Sequence, residues 1–240
     1  MTTPTTQLPK CWQDAFDVLN AGIDRLILFG PPGVGKTFAG LNYGQVANGA
    51  WRVPCTEDMT SAEVTGHWLP AGGDEWIWRD GGATNALRSG GRLVLDEVDK
   101  ASGDVLATLL AVTDTPESIH LDHPGLNGSI KPTDGYSVVC TTNCEDMRDL
   151  PEALVDRFPV RIRINEPHPD ALAVLSYDLR DYARRAADLG PDRRISLRQF
   201  MSFDKLRKGL GDTNRAANIV FGEKLAQAVL DAIAIDKVAK

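Results

Sequence analysis

The run Gly30-Pro31-Pro32-Gly33-Val34-Gly35-Lys36-Thr37 constrains this chain more than any other feature. It matches the pattern G-x-x-x-x-G-K-[ST] and stands between a strand-like run and a helical one. Glycines let such a backbone curl with its N–H groups inward, and the helix that follows presents its positive end, so the segment is built to hold an anion. On this reading Gly30, Pro31, Pro32, Gly33, Val34, Gly35, Lys36, Thr37 and the adjoining Phe38 contact a nucleotide. Lys36 reaches its β- and γ-phosphates and Thr37 ligates Mg²⁺. The bland alternative is a glycine-rich turn, which the flanking strand and helix disfavour.

Two further strand ends join it. Leu93-Val94-Leu95-Asp96-Glu97 is an apolar strand closing on two carboxylates, of which Asp96 can hold Mg²⁺ through water and Glu97 can polarise an attacking water. Alone, this is equally a strand meeting solvent. Beside a phosphate loop it is the other half of one site. Val138 to Thr141 runs into Thr142 and Asn143, which adds a neutral amide at the carboxyl edge where open α/β sheets keep their ligands. A strand-end Asn by itself is more often a turn residue.

Buried-strand patterns recur at Arg25 to Phe29, Arg92 to Leu95 and Tyr136 to Thr141, with further candidates at Trp51 to Cys55 and Val160 to Ile164. Helical stretches separate them, so the fold class is α/β with a parallel sheet. Beyond Ile164 no strand-like run appears, and a separate all-helical domain is expected. Its first helix carries Leu172, Leu175, Leu179, Tyr182 and Ala186 at helical spacing, and its last carries Phe221, Leu225, Ala228, Ala232 and Ile235. These stripes are core. Gly190 to Arg193 separates helices, and the Thr- and Pro-rich first ten residues form a loose arm.

A length of 240 residues suits one main domain with a small companion, and 42% apolar and 25% charged residues are ordinary for a globular protein. No stretch approaches the ~20 apolar residues that cross a bilayer, and the start lacks signal-peptide features, so a cytoplasmic address without membrane partners is expected. A net charge of −7 disfavours a surface that grips nucleic acid all over, yet leaves room for a local basic face. Cys11, Cys55, Cys140 and Cys144 lack paired spacing and are expected as reduced thiols in or near the core. His67, His120, His123 and His168 show no metal-ligand spacing and are expected at the surface.

The motif order GPPGVGKT, LVLDEVDKA, the TTN strand end, LPEALVDRF at Leu150 to Phe158 and ISLRQF at Ile195 to Phe200 resembles the AAA+ superfamily. In detail it is similar to the MoxR-type, dynein-related branch, which includes activators of rubisco and nitric oxide reductase. The resemblance covers about Leu26 to Arg198. It implies a three-layer P-loop NTPase sheet of order 5-1-4-3-2 in a core domain at 1–164 with two β-hairpin insertions, and a helical lid at 165–240. It also implies ATP and Mg²⁺ as cofactors, hydrolysis of ATP, and nucleotide at subunit interfaces of a homo-oligomer, a hexameric ring. The partner is then a client or adaptor protein that the ring remodels or activates. By the same resemblance Asn143 matches sensor 1, Arg157 the arginine finger and Arg198 the sensor 2 arginine, while Asp96 with Thr37 holds the metal and Glu97 is the base. A salt-bridge role stands beside the finger role for Arg157 and a structural one beside the sensor role for Arg198, with Arg161 and Arg163 next in line as fingers.

The insertions are readable. His67-Trp68-Leu69 and Glu75-Trp76-Ile77-Trp78 flank Gly72-Gly73-Asp74 as a hairpin interrupting a helix, and Ile119 to Leu121 pairs with Ser129 to Lys131 around His123-Pro124-Gly125. The tryptophans read equally as a contact patch or as packing against their own domain. Three other functions compete. A nucleic-acid motor or loader draws on the eight basic and three acidic residues of Arg184 to Lys208. A small-molecule kinase lacks a readable acceptor pocket, and a non-hydrolysing switch conflicts with the intact Glu97.

Overall fold

The computed structural model describes residues 8–238 apart from 45, 47, 125, 127, 191 and 192. Of the expected ten-residue arm, residues 1–7 lie outside the described residues and Lys10 already opens a helix; the turn residue Gly125 and the centre of the 190–193 break also lie outside them. The chain divides into two compact units, one of Asp14–Gly30 and Lys36–Arg163, the other of residues 8–13, 31–35 and 164–238.

In chain order the elements are α1 (Lys10–Asn20), β1 (Arg25–Phe29), α2 (Lys36–Asn42), β2 (Ala50–Pro54), α3 (Ser61–Thr65), β3 (Gly66–Gly72), β4 (Glu75–Asp80), α4 (Gly82–Ser89), β5 (Arg92–Asp96) and α5 (Gly103–Thr113). There follow β6 (Leu121–His123), β7 (Gly128–Ile130), β8 (Ser137–Thr142), α6 (Glu152–Asp156), β9 (Val160–Arg163), α7 (Pro169–Ala173), α8 (Tyr177–Ala186), α9 (Leu197–Leu210) and α10 (Thr213–Val238).

The larger unit is built on a five-stranded sheet of order β2-β5-β8-β1-β9, all neighbours parallel. Counting only those five strands, this is the 5-1-4-3-2 order. The three central strands are the three strongest apolar runs. Leu26, Ile27, Leu28, Leu93, Val94, Leu95 and Val138 are 0% exposed, as both-face burial demands. Each such side chain contributes roughly 1.5–3 kcal/mol of burial free energy. Helix α2 lies close enough to the sheet that a Cβ on Gly40 would come 3.2 Å from Val139 and 3.3 Å from Val94, so the helix behind the phosphate loop needs a residue without a side chain there. All four cysteines are free thiols, as expected.

Both hairpins form. Strands β3 and β4 pair between α3 and α4, interrupting a helical stretch, with Trp68 opposite Trp78 at 5.6 Å between rings. The hairpin divides its tryptophans: Trp76 is 62% exposed, whereas Trp78 stacks at 5.6 Å on His123 and donates to Asp80 at 2.9 Å. The second hairpin is displaced by two residues at its first strand, to Leu121–His123 paired with Gly128–Ile130. The cause is Ile119, which is buried in the core and held by its N–H to the Thr115 carbonyl in the turn after α5. His123 corrects the surface expectation for the histidines. It is buried, with Nε2 2.7 Å from Asp80, which also takes a bond from Arg88, so one carboxylate ties β4, β6 and α4 together.

The smaller unit is helical apart from its loops. Leu179, Ala183, Phe200, Phe203, Ala217 and Val229 are fully buried among α8, α9 and α10. Two expectations change here. The helix from Leu172 to Ala186 is two helices, because Ser176 leaves helical geometry and gives both its N–H and its hydroxyl to Asp204, at 3.1 and 3.0 Å. In α10, Gly222 at φ 73 breaks the helix. The break resets the phase, so Ala226, Val229 and Ile233 are buried behind it while Ile235 of the expected stripe is 67% exposed.

Candidate functional site

The carboxyl ends of β1, β5 and β8 are neighbours in the sheet, and the described contacts of the larger unit draw their side chains into one cluster. Lys36, 6% exposed, donates from Nζ to the Gly30 carbonyl at 2.8 Å and to Asn143 Oδ1 at 3.0 Å. Asn143 passes the connection on, its Nδ2 donating to Glu97 Oε1 at 3.2 Å. Thr37 gives its hydroxyl hydrogen to Asp96 Oδ1 at 2.5 Å, and Thr141 does the same at 2.6 Å. Asp99 fixes the end of β8 by accepting from the Thr142 hydroxyl at 2.7 Å and the Asn143 N–H at 3.3 Å.

Burial alone would lift the Asp96 carboxyl, but the donors Thr141, Thr37 and Arg52 outweigh it and hold it below the usual carboxylate range. It is thus a charged carboxylate at neutral pH. Glu97, next in the chain, is exposed and takes φ 57 and ψ 50, with its N–H on the Thr141 hydroxyl at 3.1 Å. This left-handed turn carries the chain from strand into a short 3₁₀ turn at Val98–Lys100.

The loop itself has the conformation its glycines permit, with φ of 125 at Gly30, 79 at Gly33 and 114 at Gly35. Within the smaller unit a Cβ at Gly35 would come 3.3 Å from the Trp12 ring and one at Gly33 3.4 Å from the Ser196 Cβ, so it is the positive φ, more than space, that keeps side chains out. Trp12 is fixed in turn by a 2.8 Å bond to the Glu166 carbonyl and an edge contact with His168. Pro31 and Val34 are buried and Pro32 is exposed. Phe38 is 59% exposed, in edge contact with Tyr43.

Within the larger unit, Arg157 and Arg161 are held by groups outside this cluster. Arg157 ends α6 and is engaged within its own chain, donating to Asp114 Oδ2 and to the Ala153 carbonyl, both at 2.7 Å, while its buried Nε has no partner among the described residues. Arg161 bonds the Phe158 and Val155 carbonyls at 2.9 and 3.0 Å. Arg198 is exposed in the first turn of α9, which opens on a capping box of Ser196 and Gln199.

Sequence reading missed Arg52. From β2 it places Nε 2.8 Å and Nη2 2.5 Å from Asp96 Oδ2. The available signal was an arginine inside an apolar strand. The expected strand order already set β2 beside β5; what could not be read was the register, which sets Pro54 opposite Asp96.

Among the described residues no group of three or more His, Cys, Asp or Glu could hold a metal alone. The hard oxygens of Thr37 and Asp96 suit Mg²⁺, which takes one or two protein ligands and fills its shell with water and phosphate. A glycine-rich loop ending in a buried lysine, and beside that lysine a threonine hydroxyl bound to a buried carboxylate at the end of a parallel strand, together define the class: this is a P-loop nucleotide-binding protein. The sequence pattern of the AAA domain, dynein-related subfamily, matches residues 25–158, more than half of the chain, and the chain belongs to that family of nucleotide-dependent ATPases.

Individual relatives agree. The chain is 34% identical over 119 residues to protein NorQ of Paracoccus denitrificans, covering 49% of this chain and 43% of that one. It is 29% identical over 135 residues to the denitrification regulatory protein NirQ of Stutzerimonas stutzeri, covering 56% and 45%. The match thus spans less than half the length of either relative. Two crystal structures of NtrX from Brucella abortus share the fold. The first has a TM-score of 0.60 at 19% identity over 83% of this chain and 49% of the other; the second, in complex with ADP, has 0.55 at 18% over 82% and 49%.

Proposed function

We propose that this chain hydrolyses ATP with Mg²⁺ and works as the motor module of a homo-oligomeric ring, a hexamer, that remodels or activates a partner protein complex. The observation that carries the reading is the continuous contact from Lys36 through Asn143 to Glu97, beside Thr37 on Asp96. Residues 30–38 hold the phosphates, with Lys36 as the cation among them. Thr37 and Asp96 hold Mg²⁺, which when bound neutralises charge on the β- and γ-phosphates. Glu97 orients the lytic water and accepts its proton, and Asn143 fixes the carboxylate that does so.

Arg157 serves as the finger offered to the neighbouring subunit, and Arg198 of the lid, residues 165–240, as the second sensor. The core at 1–164 carries the hairpins, whose exposed Trp68 and Trp76 suit a client or adaptor protein. The relative named as a denitrification regulatory protein is in keeping with action on another protein. The basic stretch at 184–208 gives less support to nucleic acid, since Arg207 is held by Asp178 and Asp204, and Lys208 by Asp204. A cytoplasmic location belongs to the same proposal. Among the described residues no helix is long and apolar enough to cross a membrane.

The test separates binding from turnover. Lys36→Ala should lose Mg²⁺·ATP binding. Glu97→Gln should keep it while hydrolysis falls by about 10²- to 10⁴-fold. Undiminished hydrolysis in the Glu97 variant would remove Glu97 as the base.

A further inference from the structure

Asp96 is 4% exposed, and every acceptor position on its carboxylate is filled. Oδ1 takes the Thr37 and Thr141 hydroxyls, and Oδ2 takes two N–H groups of one guanidinium, that of Arg52. The two oxygens are not equivalent toward a cation. A threonine can donate its hydrogen to Oδ1 and still offer an oxygen lone pair to a metal, so those bonds are compatible with a bound divalent ion. Arg52 has donors and a positive charge but no lone pair, and like charges a few ångströms apart repel.

The guanidinium bonds nothing else among the described residues, its side chain is 51% exposed, and it extends from β2, the edge strand of the sheet. It can leave Asp96 for solvent without breaking another contact. Lys36, the other cation of the cluster, bonds Gly30 and Asn143.

Resting on the nucleotide reading above, we propose that Arg52 is the resident counter-ion of Asp96, and that its charge on Oδ2 competes with a divalent metal held at Thr37 and Asp96. A buried carboxylate without a counter-charge is costly, so Arg52 stabilises the site before metal arrives and then competes with it. Arg52 is therefore a positioning residue that sets metal affinity while leaving the phosphate contacts untouched. Metal and nucleotide become coupled, because the phosphates supply the negative charge that offsets loss of the ion pair.

Mn²⁺ reports on this without turnover. Free Mn²⁺ counted by electron paramagnetic resonance gives the metal affinity of the full chain in ADP, and calorimetry with ADP plus chelator gives the metal-free nucleotide affinity. Arg52→Ala and Arg52→Gln should bind Mn²⁺ about fivefold more tightly in the ADP complex, the scale of one half-exposed ion pair, with Arg52→Lys in between. Metal-free ADP binding should not change. Equal or weaker Mn²⁺ binding in all three variants, with wild-type thermal melts, would overturn the proposal. If the alanine and glutamine chains fail to fold, Arg52→Lys decides, and an unmoved Mn²⁺ affinity there overturns it equally. A wild-type chain that binds no Mn²⁺·ADP refutes the nucleotide reading itself, whereas wild-type binding with unresponsive variants refutes only the role of Arg52.

Discussion

Glu97 is the one non-glycine residue at positive φ among the described residues, and it is also the residue assigned to activate water. A left-handed conformation costs an L-residue about 1–2 kcal/mol, so the position is strained where chemistry is proposed. Glu97→Gly should therefore raise stability by about 1 kcal/mol in chemical denaturation while abolishing hydrolysis, and a destabilised glycine variant would contradict the account. Strain of this kind was not legible in the sequence. LVLDE announces a strand with two acids, but the turn that puts them to different uses depends on Thr141 of another strand, which bonds Asp96 through its hydroxyl and takes the Glu97 N–H. Asn143 was legible as a strand-end amide, and its joint hold on Lys36 and Glu97 was not, since that depends on side-chain directions at the ends of β5 and β8 that strand order alone does not fix.

At the scale of elements, Asp204 of α9 decides how the helical unit holds together. It caps the break before α8 through Ser176 and pairs with Lys208 and Arg207; burial would raise its carboxyl, but Lys208, the two Ser176 donors and Arg207 outweigh it and hold it down at about 2. An unfolded aspartate titrates near ~3.9, so these contacts stabilise the helices fully above that pH, and the contribution is lost as pH falls from there toward 2. Hydrogen-exchange protection factors of α8 and α9 should fall over that interval in the wild type. Asp204→Asn should be poorly protected already at neutral pH and respond less to acid. Phe200→Ala, removing a ring buried against Tyr182 and Phe221, should cost about 3–5 kcal/mol in the same unit. Periodicity showed these helices plainly, because five apolar residues at helical spacing leave few alternatives. It could not show that Ser176 would be drawn out of helix by a carboxylate 28 positions away, or that Gly222 would turn the last stripe off the core.

For the whole molecule, the order of five strands followed from the resemblance, and the sequence located the five strands of the main sheet to within a residue, the central three through the strong signal of both-face burial. Assembly is where the prediction lies. Arg157 is occupied by Asp114 in the single chain, so service to a neighbour requires that pair to open. Arg157→Ala should bind ATP normally yet fail to hydrolyse it, and mixing it with Lys36→Ala subunits should restore part of the activity. No recovery at any mixing ratio would argue against a finger acting between subunits. The tryptophan under Gly35 has one more use. An indole 3.3 Å from where that glycine's side chain would begin, and clamped by Glu166, is an optical gauge laid against the loop. With Trp51 and the three hairpin tryptophans replaced by phenylalanine, emission from Trp12 becomes a means of timing nucleotide arrival and departure in solution without attaching a dye.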